Sequence, residues 1–197
     1  MAKLMVHGKT ARNCLARGVA RLAAAVEPTL GPKGLNAMVD RPVGTPLVTR
    51  DGVSIASEIE LSDRFENMGA QVVREVSMQT NDVAGDGTTT AIVLANALIQ
   101  RGVDLTDNGV KPVDLCKGID LAVNRVVAAI DASSRDCDDH PEYLEAVARV
   151  SSTDPKLGEL VAEAYRRVGR DGVISADFGA TIDTTMEVVE GMSFERG

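Results

Sequence analysis

Tryptophan is absent from this 197-residue chain, and three Phe and two Tyr bring the aromatics to only 3%. A core must then be assembled from Ala, Val, Leu, Ile and Met, which suits closely packed helices better than an aromatic-rich β-sandwich. Cysteine is scarce: Cys14, Cys116 and Cys137 are an odd number with no CxxC spacing. That excludes a disulfide framework or a cysteine zinc site and fits free thiols in a reducing compartment. The two histidines, His7 and His140, have no partner at ligand spacing and read as surface residues. A long apolar run is also missing. Residues 91–95, extended to Ile99 across Asn96, fall short of a bilayer span, and the start of the chain lacks the apolar stretch of a signal peptide. A cytoplasmic protein with no membrane role is expected. A net charge of −8 leaves no basic excess for nucleic acid.

What is present suits one or two helix-rich domains. Leu15, Val19, Leu22 and Val26 recur at helical spacing, which predicts an amphipathic helix over about 9–27. Pro28 should end it early, and Gly31-Pro32-Lys33-Gly34 forces irregular backbone. Short β pieces are expected at 37–39 and 47–49, separated by a Pro/Gly turn over 41–46. Asp51 can cap a short helix running to Ile59. Phe65, Met68, Val72, Val76 and Val83 predict the buried stripe of a helix ending at Gly85. The next helix, from Thr88 through Ile99, is apolar on nearly all sides and is expected to be buried between neighbours. Pro112 suits the first turn of a third helix, with Leu115, Ile119, Val123, Val126 and Ile130 as its buried face. Composition shifts to Ser and Asp over 132–141, where a domain boundary is placed. Helices over 142–150 and 156–168, a turn at 169–172, and strands at 173–175 and 186–189 complete the expectation, without internal repeats. The end, residues 191–197, has no capping element and reads as an interruption of a longer chain.

Chemistry concentrates at Gly85-Asp86-Gly87-Thr88-Thr89-Thr90. Two glycines permit positive φ and close approach, while a helix beginning at Thr88 turns unpaired N–H groups and its positive dipole end into the bend. Three hydroxyls add donors, and such a place suits phosphate oxygens. The carboxylate of Asp86 makes sense there if Mg²⁺ bridges it to phosphate. A plain helix start, a Gly/Asp turn with a Thr cap, is the competing explanation; three threonines exceed what one cap needs. Thr29-Leu30-Gly31-Pro32-Lys33-Gly34 could likewise be only a helix stop. No GxxxxGK[ST] sequence occurs, so the site is not a P-loop.

TLGPKG, then Arg50-Asp51-Gly52, then GDGTTT, in this order and spacing, closely resemble the nucleotide-site signature of the chaperonins. Phe65 to Gln71 (FENMGAQ) and Val188 to Met192 (VVEGM) are similar to the GroEL-type, group I branch. The resemblance covers nearly the whole chain. It implies a mainly α fold with short β pieces (α+β): residues 1–132 as the N-terminal part of an equatorial ATP-binding domain, 133–189 as the first part of an intermediate domain, and 190–197 as a stub of the hinge to an apical domain. It further implies that Thr29, Leu30, Gly31 and Pro32 line an adenine-nucleotide pocket, with Arg50 near the phosphates. Asp86, Gly87, Thr88, Thr89 and Thr90 would cradle phosphate, Asp86 would hold Mg²⁺, and Asp51 would be the catalytic carboxylate near the γ-phosphate that helps order water and a monovalent cation such as K⁺.

As a family property, ATP hydrolysis would drive a double heptameric ring that works with a lid co-chaperonin on unfolded clients. This chain departs from the pattern in carrying Arg50 where the branch usually has Lys, and in the stretches 135–141 and 177–180. The second acidic residue of the site, the other wall of the pocket and the client-binding surface belong to segments the resemblance places outside these 197 residues. Weak or no turnover, and exposed apolar helix faces, are therefore expected of this chain alone. An interaction protein without catalysis is the alternative.

Overall fold

The computed structural model describes residues 4–41, 44–137, 140–152, 154–169, 172–177, 179 and 184–191. Parts of the turns expected at 41–46, 169–172 and 177–180, Asp138 and Asp139 of the boundary stretch, and the end beyond Gly191 lie outside them. The fold is mainly α with one small sheet. The chain forms two compact units, Met1–Asp131 and Ala132–Gly197.

The first unit is built on helix α1 (Gly8–Val26), which leads through a 3-10 turn (Glu27–Thr29) to strands β1 (Ala37–Val39) and β2 (Leu47–Thr49). These pair antiparallel, Met38 opposite Val48. Helices α2 (Gly52–Glu58), α3 (Arg64–Ala84), α4 (Thr88–Asp107) and α5 (Pro112–Ser133) follow. α1, α3 and α4 pack on one another, and α2 fills the remaining side. Their core is small and aliphatic: Val19, Leu22, Ala23, Val26, Ile55, Ala56, Ala70, Val73 and Ile92. Each fully buried Leu or Ile in it contributes roughly 2 kcal/mol.

Two glycines set how closely α1 and α3 approach. A Cβ at Gly18 would stand 1.8 Å from the Glu66 carbonyl oxygen, and one at Gly69 would stand 2.1 Å from that of Leu15. The contact points themselves admit no side chain, so the face that carries Gly69 must turn inward. α3 therefore buries Glu66, Gly69, Ala70, Val73 and Ser77. The stripe expected to be buried, Met68, Val72, Val76 and Val83, is exposed instead, and Phe65 is half-buried. Apolar spacing predicted the wrong face, and the buried one lies one residue, about 100°, around the helix.

Polar contacts hold the crossing in register. Arg17 Nε donates to Glu66 Oε1 at 2.9 Å, and Arg21 stands 3.1 Å from Oε2, an ion pair without hydrogen-bond alignment. The Glu66 carboxylate, more than the neighbouring Cys14, holds the Arg17 guanidinium above its ordinary pKa. Asp63 caps α3 by accepting from Phe65 and Glu66 amides, both at 2.9 Å. Arg74 donates to the Ala56 carbonyl at 2.8 Å and to that of Ile59, so it closes the C-terminal end of α2. Gln100 of α4 donates to the Ala16 carbonyl at 2.8 Å, and Arg12 and Lys9 meet Asp107 at 2.9 and 3.1 Å.

α4 differs from expectation in part. Thr88 and Ile92 are buried, but Leu94 and Leu98 are exposed, because α1 and α3 cover one side only. α5 differs more: Leu115 and Ile119 are half-buried, while Val123, Val126 and Ile130 are exposed and the helix buries no residue. No other described helix of the first unit covers that face. Leu15 is also more exposed than its stripe suggested.

The second unit contains a hairpin of α6 (Pro141–Ser152) and α7 (Pro155–Val168). Gly158 admits the close approach, since a Cβ there would meet Arg149 Cα at 2.6 Å. Asp154 caps α7 at the Lys156 amide, 2.9 Å, and Arg149 pairs with Glu145 and Glu159. The strands expected at 173–175 and 186–189 do not form. A segment of three or four residues has no hydrogen bonds of its own and exists as a strand only when paired, and these find no partner among the described residues. All three cysteines are free thiols. Among the described residues no helix is long and apolar enough to cross a membrane.

Two outcomes follow from this packing. Gly18→Ala is expected to lower the unfolding free energy by about 3 kcal/mol, because backbone must move. Gly118→Ala, at an open helical position, is expected to raise it by about 1 kcal/mol; urea titration of both variants checks the contrast. The hydrogen bond and charge of Arg12, then those of Lys9, depress the Asp107 carboxyl pKa. A folded pKa below the unfolded one stabilises above about pH 4 and loses that contribution as pH falls through the folded value. Asp107→Asn should therefore flatten the acid limb of the stability profile.

Candidate functional site

Three segments far apart in sequence meet at the start of α4. The first, 29–35, follows the 3-10 turn. Its bend is closed by Gly34 N–H on the Gly31 carbonyl at 2.9 Å and Leu35 N–H on that of Pro28 at 2.8 Å. Gly31 takes φ +78°, which favours glycine, and a Cβ at Gly34 would stand 2.1 Å from the Thr29 carbonyl oxygen. Thr29 is buried, and Leu30, Gly31 and Pro32 are exposed around it.

The second segment is the junction of β2 with α2. Asp51 is the N-cap of α2: its Oδ2 accepts from the Ser54 amide at 2.9 Å and from Ser54 Oγ at 2.6 Å. This fixes the carboxylate and leaves Oδ1 turned towards α4, where Thr88 Oγ1 donates to it at 3.4 Å. Gly52, the first residue of α2, lies against the start of α4. A Cβ there would meet Thr89 Oγ1 at 2.5 Å, Thr89 N at 2.7 Å and Thr88 Oγ1 at 2.9 Å. Arg50 donates through one terminal nitrogen to the Gly31 carbonyl at 3.3 Å, which ties this segment to the first.

The third segment is 85–90. Gly85 ends α3 at φ +69° and Gly87 begins α4 at φ +83°. A Cβ at either would meet nothing within 4 Å, so it is the left-handed backbone that calls for glycine here; the close approach belongs to Gly52. Asp86 lies between them, with Oδ1 accepting from the Gly87 amide at 2.6 Å. The first bond of the α4 ladder runs from Ala91 N–H to the Gly87 carbonyl at 2.9 Å. The amides of Thr88, Thr89 and Thr90 precede that ladder and carry the positive end of the helix dipole.

The threonine hydroxyls are less free to donate than the sequence suggested. Thr29 Oγ1 spends its one proton on the Val26 carbonyl at 2.8 Å. The 3.3 Å contact between Thr29 Oγ1 and Thr89 Oγ1 must then be donated by Thr89. With Thr88 donating to Asp51, two of the three hydroxyl protons are committed within the protein. Donors for an anion come chiefly from backbone amides, while the oxygens of Thr88 and Thr89 retain lone pairs for a cation.

All eleven residues singled out from the sequence thus fall in these three segments. Thr29, Asp51, Thr88 and Thr89 are linked by side-chain contacts, Arg50 reaches Gly31, and Asp86 and Gly87 form the turn beside them. Ser54 was missed; Asp-x-x-Ser at a helix start was the available signal for it. Among the described residues no group of three or more His, Cys, Asp or Glu side chains is placed to hold a metal.

Residues 22–197 match the TCP-1/cpn60 chaperonin family. Over all 197 residues the chain is 66% identical to chaperonin GroEL 4 of Bradyrhizobium diazoefficiens (strain JCM 10833 / BCRC 13528 / IAM 13628 / NBRC 14792 / USDA 110), of which it spans 36%. Its fold is similar to that of chaperonin gp146 from the bacteriophage EL 2 (Pseudomonas aeruginosa), solved in the presence of ATP-BeFx. The TM-score is 0.70 and the identity 32%, over 84% of this chain and 29% of that one. A group III chaperonin in the open state is similar too, with TM-score 0.69 and 28% identity over 83% of this chain and 34% of the other. Sequence signature, helical fold, family match and relatives agree: the chain belongs to the TCP-1/cpn60 chaperonin family, on its GroEL-type branch.

Proposed function

We propose that this chain binds Mg-ATP at the start of α4 and is the nucleotide-binding part of a chaperonin subunit that assists protein folding. One observation carries the proposal: segments 29–35, 50–54 and 85–90 converge on the first turn of one helix, joined by the Thr29–Thr89 and Asp51–Thr88 contacts. A structural helix start needs one cap, whereas this one has Asp86 in the turn before it, the Asp51 carboxylate at Thr88 and the Thr29 hydroxyl at Thr89.

The residues fit a magnesium nucleotide. Mg²⁺ takes one or two carboxylates and completes its shell with phosphate oxygens and water, and Asp86 would supply one. The amides of Thr88, Thr89 and Thr90 would hold phosphate oxygens, and Leu30, Gly31 and Pro32 would face the nucleoside. The lone pairs of Thr88 and Thr89 suit a monovalent cation such as K⁺. When bound, Mg²⁺ supplies charge stabilisation for phosphoryl transfer. Asp51, anchored through Oδ2 by Ser54, presents Oδ1 as the atom that orients water and accepts its proton.

In this proposal residues 1–132 are the first part of an equatorial domain, 133–189 the first part of an intermediate domain, and 190–197 the beginning of a hinge. Assembly with other subunits into a ring, the lid co-chaperonin, unfolded clients and a cytoplasmic setting come with the family. Because the chain spans about a third of its relatives' length, binding is expected to exceed turnover.

Calorimetric titration with Mg-ATP is expected to show binding by the wild-type chain. Asp86→Ala should weaken it by at least about tenfold, the scale of one lost charge-assisted contact. No heat from the wild type would favour an interaction protein without nucleotide, and an unaltered Asp86→Ala affinity would remove Asp86 from the metal.

A further inference from the structure

Arg50 stands where the GroEL-type branch usually has Lys, and its contact shows what the larger side chain adds. It projects from the β2–α2 junction beside the proposed catalytic Asp51. Its terminal nitrogen donates to the Gly31 carbonyl at 3.3 Å, across to a segment nineteen residues earlier in the chain. That carbonyl already accepts from the Gly34 amide at 2.9 Å, so both its lone pairs are used. The 29–35 loop is tied at its base by buried Thr29 and by the Leu35–Pro28 bond. Its outer part, Leu30 to Lys33, is exposed, and Arg50 supplies a side-chain tie to it.

We propose that Arg50 is a latch: it holds the Gly31 carbonyl, and with it the 30–34 bend, against the phosphate side of the site before nucleotide arrives. The inference rests on the proposed nucleotide reading for its purpose but on the ligand-free structure for its geometry. A guanidinium offers five donors in a rigid fork and spends one on Gly31, leaving four for an anion. A lysine ammonium is a point charge whose nitrogen ends one bond short of the guanidinium tip, so it keeps the charge and loses the latch. Ordering the loop in advance removes an entropic cost from binding. Arg50 is thus a positioning residue in this chain, in addition to any direct attraction for phosphate.

Hydrogen exchange on the ligand-free chain tests the latch. The Gly34 and Leu35 amides are expected to exchange about fivefold faster in both Arg50→Ala and Arg50→Lys, the scale of one lost hydrogen bond. Amides in α1 and α3 should exchange as in the wild type. Unchanged Gly34 and Leu35 exchange in Arg50→Ala overturns the latch, as does acceleration that spreads equally into α1 and α3. Unchanged exchange in Arg50→Lys alone overturns the need for a guanidinium. Mg-ATP titration of Arg50→Lys is expected to show about a fivefold loss of affinity although the charge remains, and equal affinity overturns the positioning role. A wild-type chain that binds no Mg-ATP refutes the proposed function and leaves the exchange result to decide the latch by itself.

Discussion

The absence of a side chain at Gly52 lets two helices begin at the same place. α2 and α4 bring their N-termini together there, with Thr89 N within 2.7 Å of where a Cβ would stand. Two positive dipole ends facing one space repel unless negative charge lies nearby. The sequence provides it twice, as Asp51 capping α2 and Asp86 in the turn before α4. Everything proposed for the site depends on this closeness: cap, threonine hydroxyls and glycine turn meet because nothing bulky separates them.

The rest of the first unit serves that meeting point by the same device. Gly18 and Gly69 let α1 and α3 cross at backbone contact, which fixes where α3 ends and hence where Gly85 turns the chain into α4. Ion pairs at the rim, Arg17 and Arg21 with Glu66, and Lys9 and Arg12 with Asp107, set register more than stability, since their cationic ends stay open to solvent. Small residues at the crossings leave little aliphatic core. The larger apolar side chains lie outward on α3, α4 and α5, the kind of surface that protein contacts cover.

The site was more legible in the sequence than the packing. Glycine, proline and threonine in short loops act through local backbone chemistry, so TLGPKG, the Asp51 cap and GDGTTT announced turns, caps and helix starts close to where they occur. Burial depends on partners, and there the sequence misled. Met68, Val72 and Val76 read as a core stripe because they are apolar at helical spacing, yet the close crossing at Gly69 turns the face of Gly69, Ala70, Val73 and Ser77 inward. The α5 stripe was recognisable as helical, but periodicity does not say whether anything lies over a face. Residues 173–175 and 186–189 have strand-like composition but no strand to pair with among the described residues. The direction of the hydroxyl protons followed only from counting the donors and acceptors around Thr29.

The central claim is that a magnesium-bound triphosphate lies on the first turn of α4, and a crystal structure of this chain with Mg²⁺ and a non-hydrolysable ATP analogue tests it most directly. The account predicts phosphate oxygens at the Thr88, Thr89 and Thr90 amides, the metal at Asp86, and the nucleoside beside Leu30 and Pro32. A nucleotide bound away from that turn, or none at saturating concentration, would contradict it.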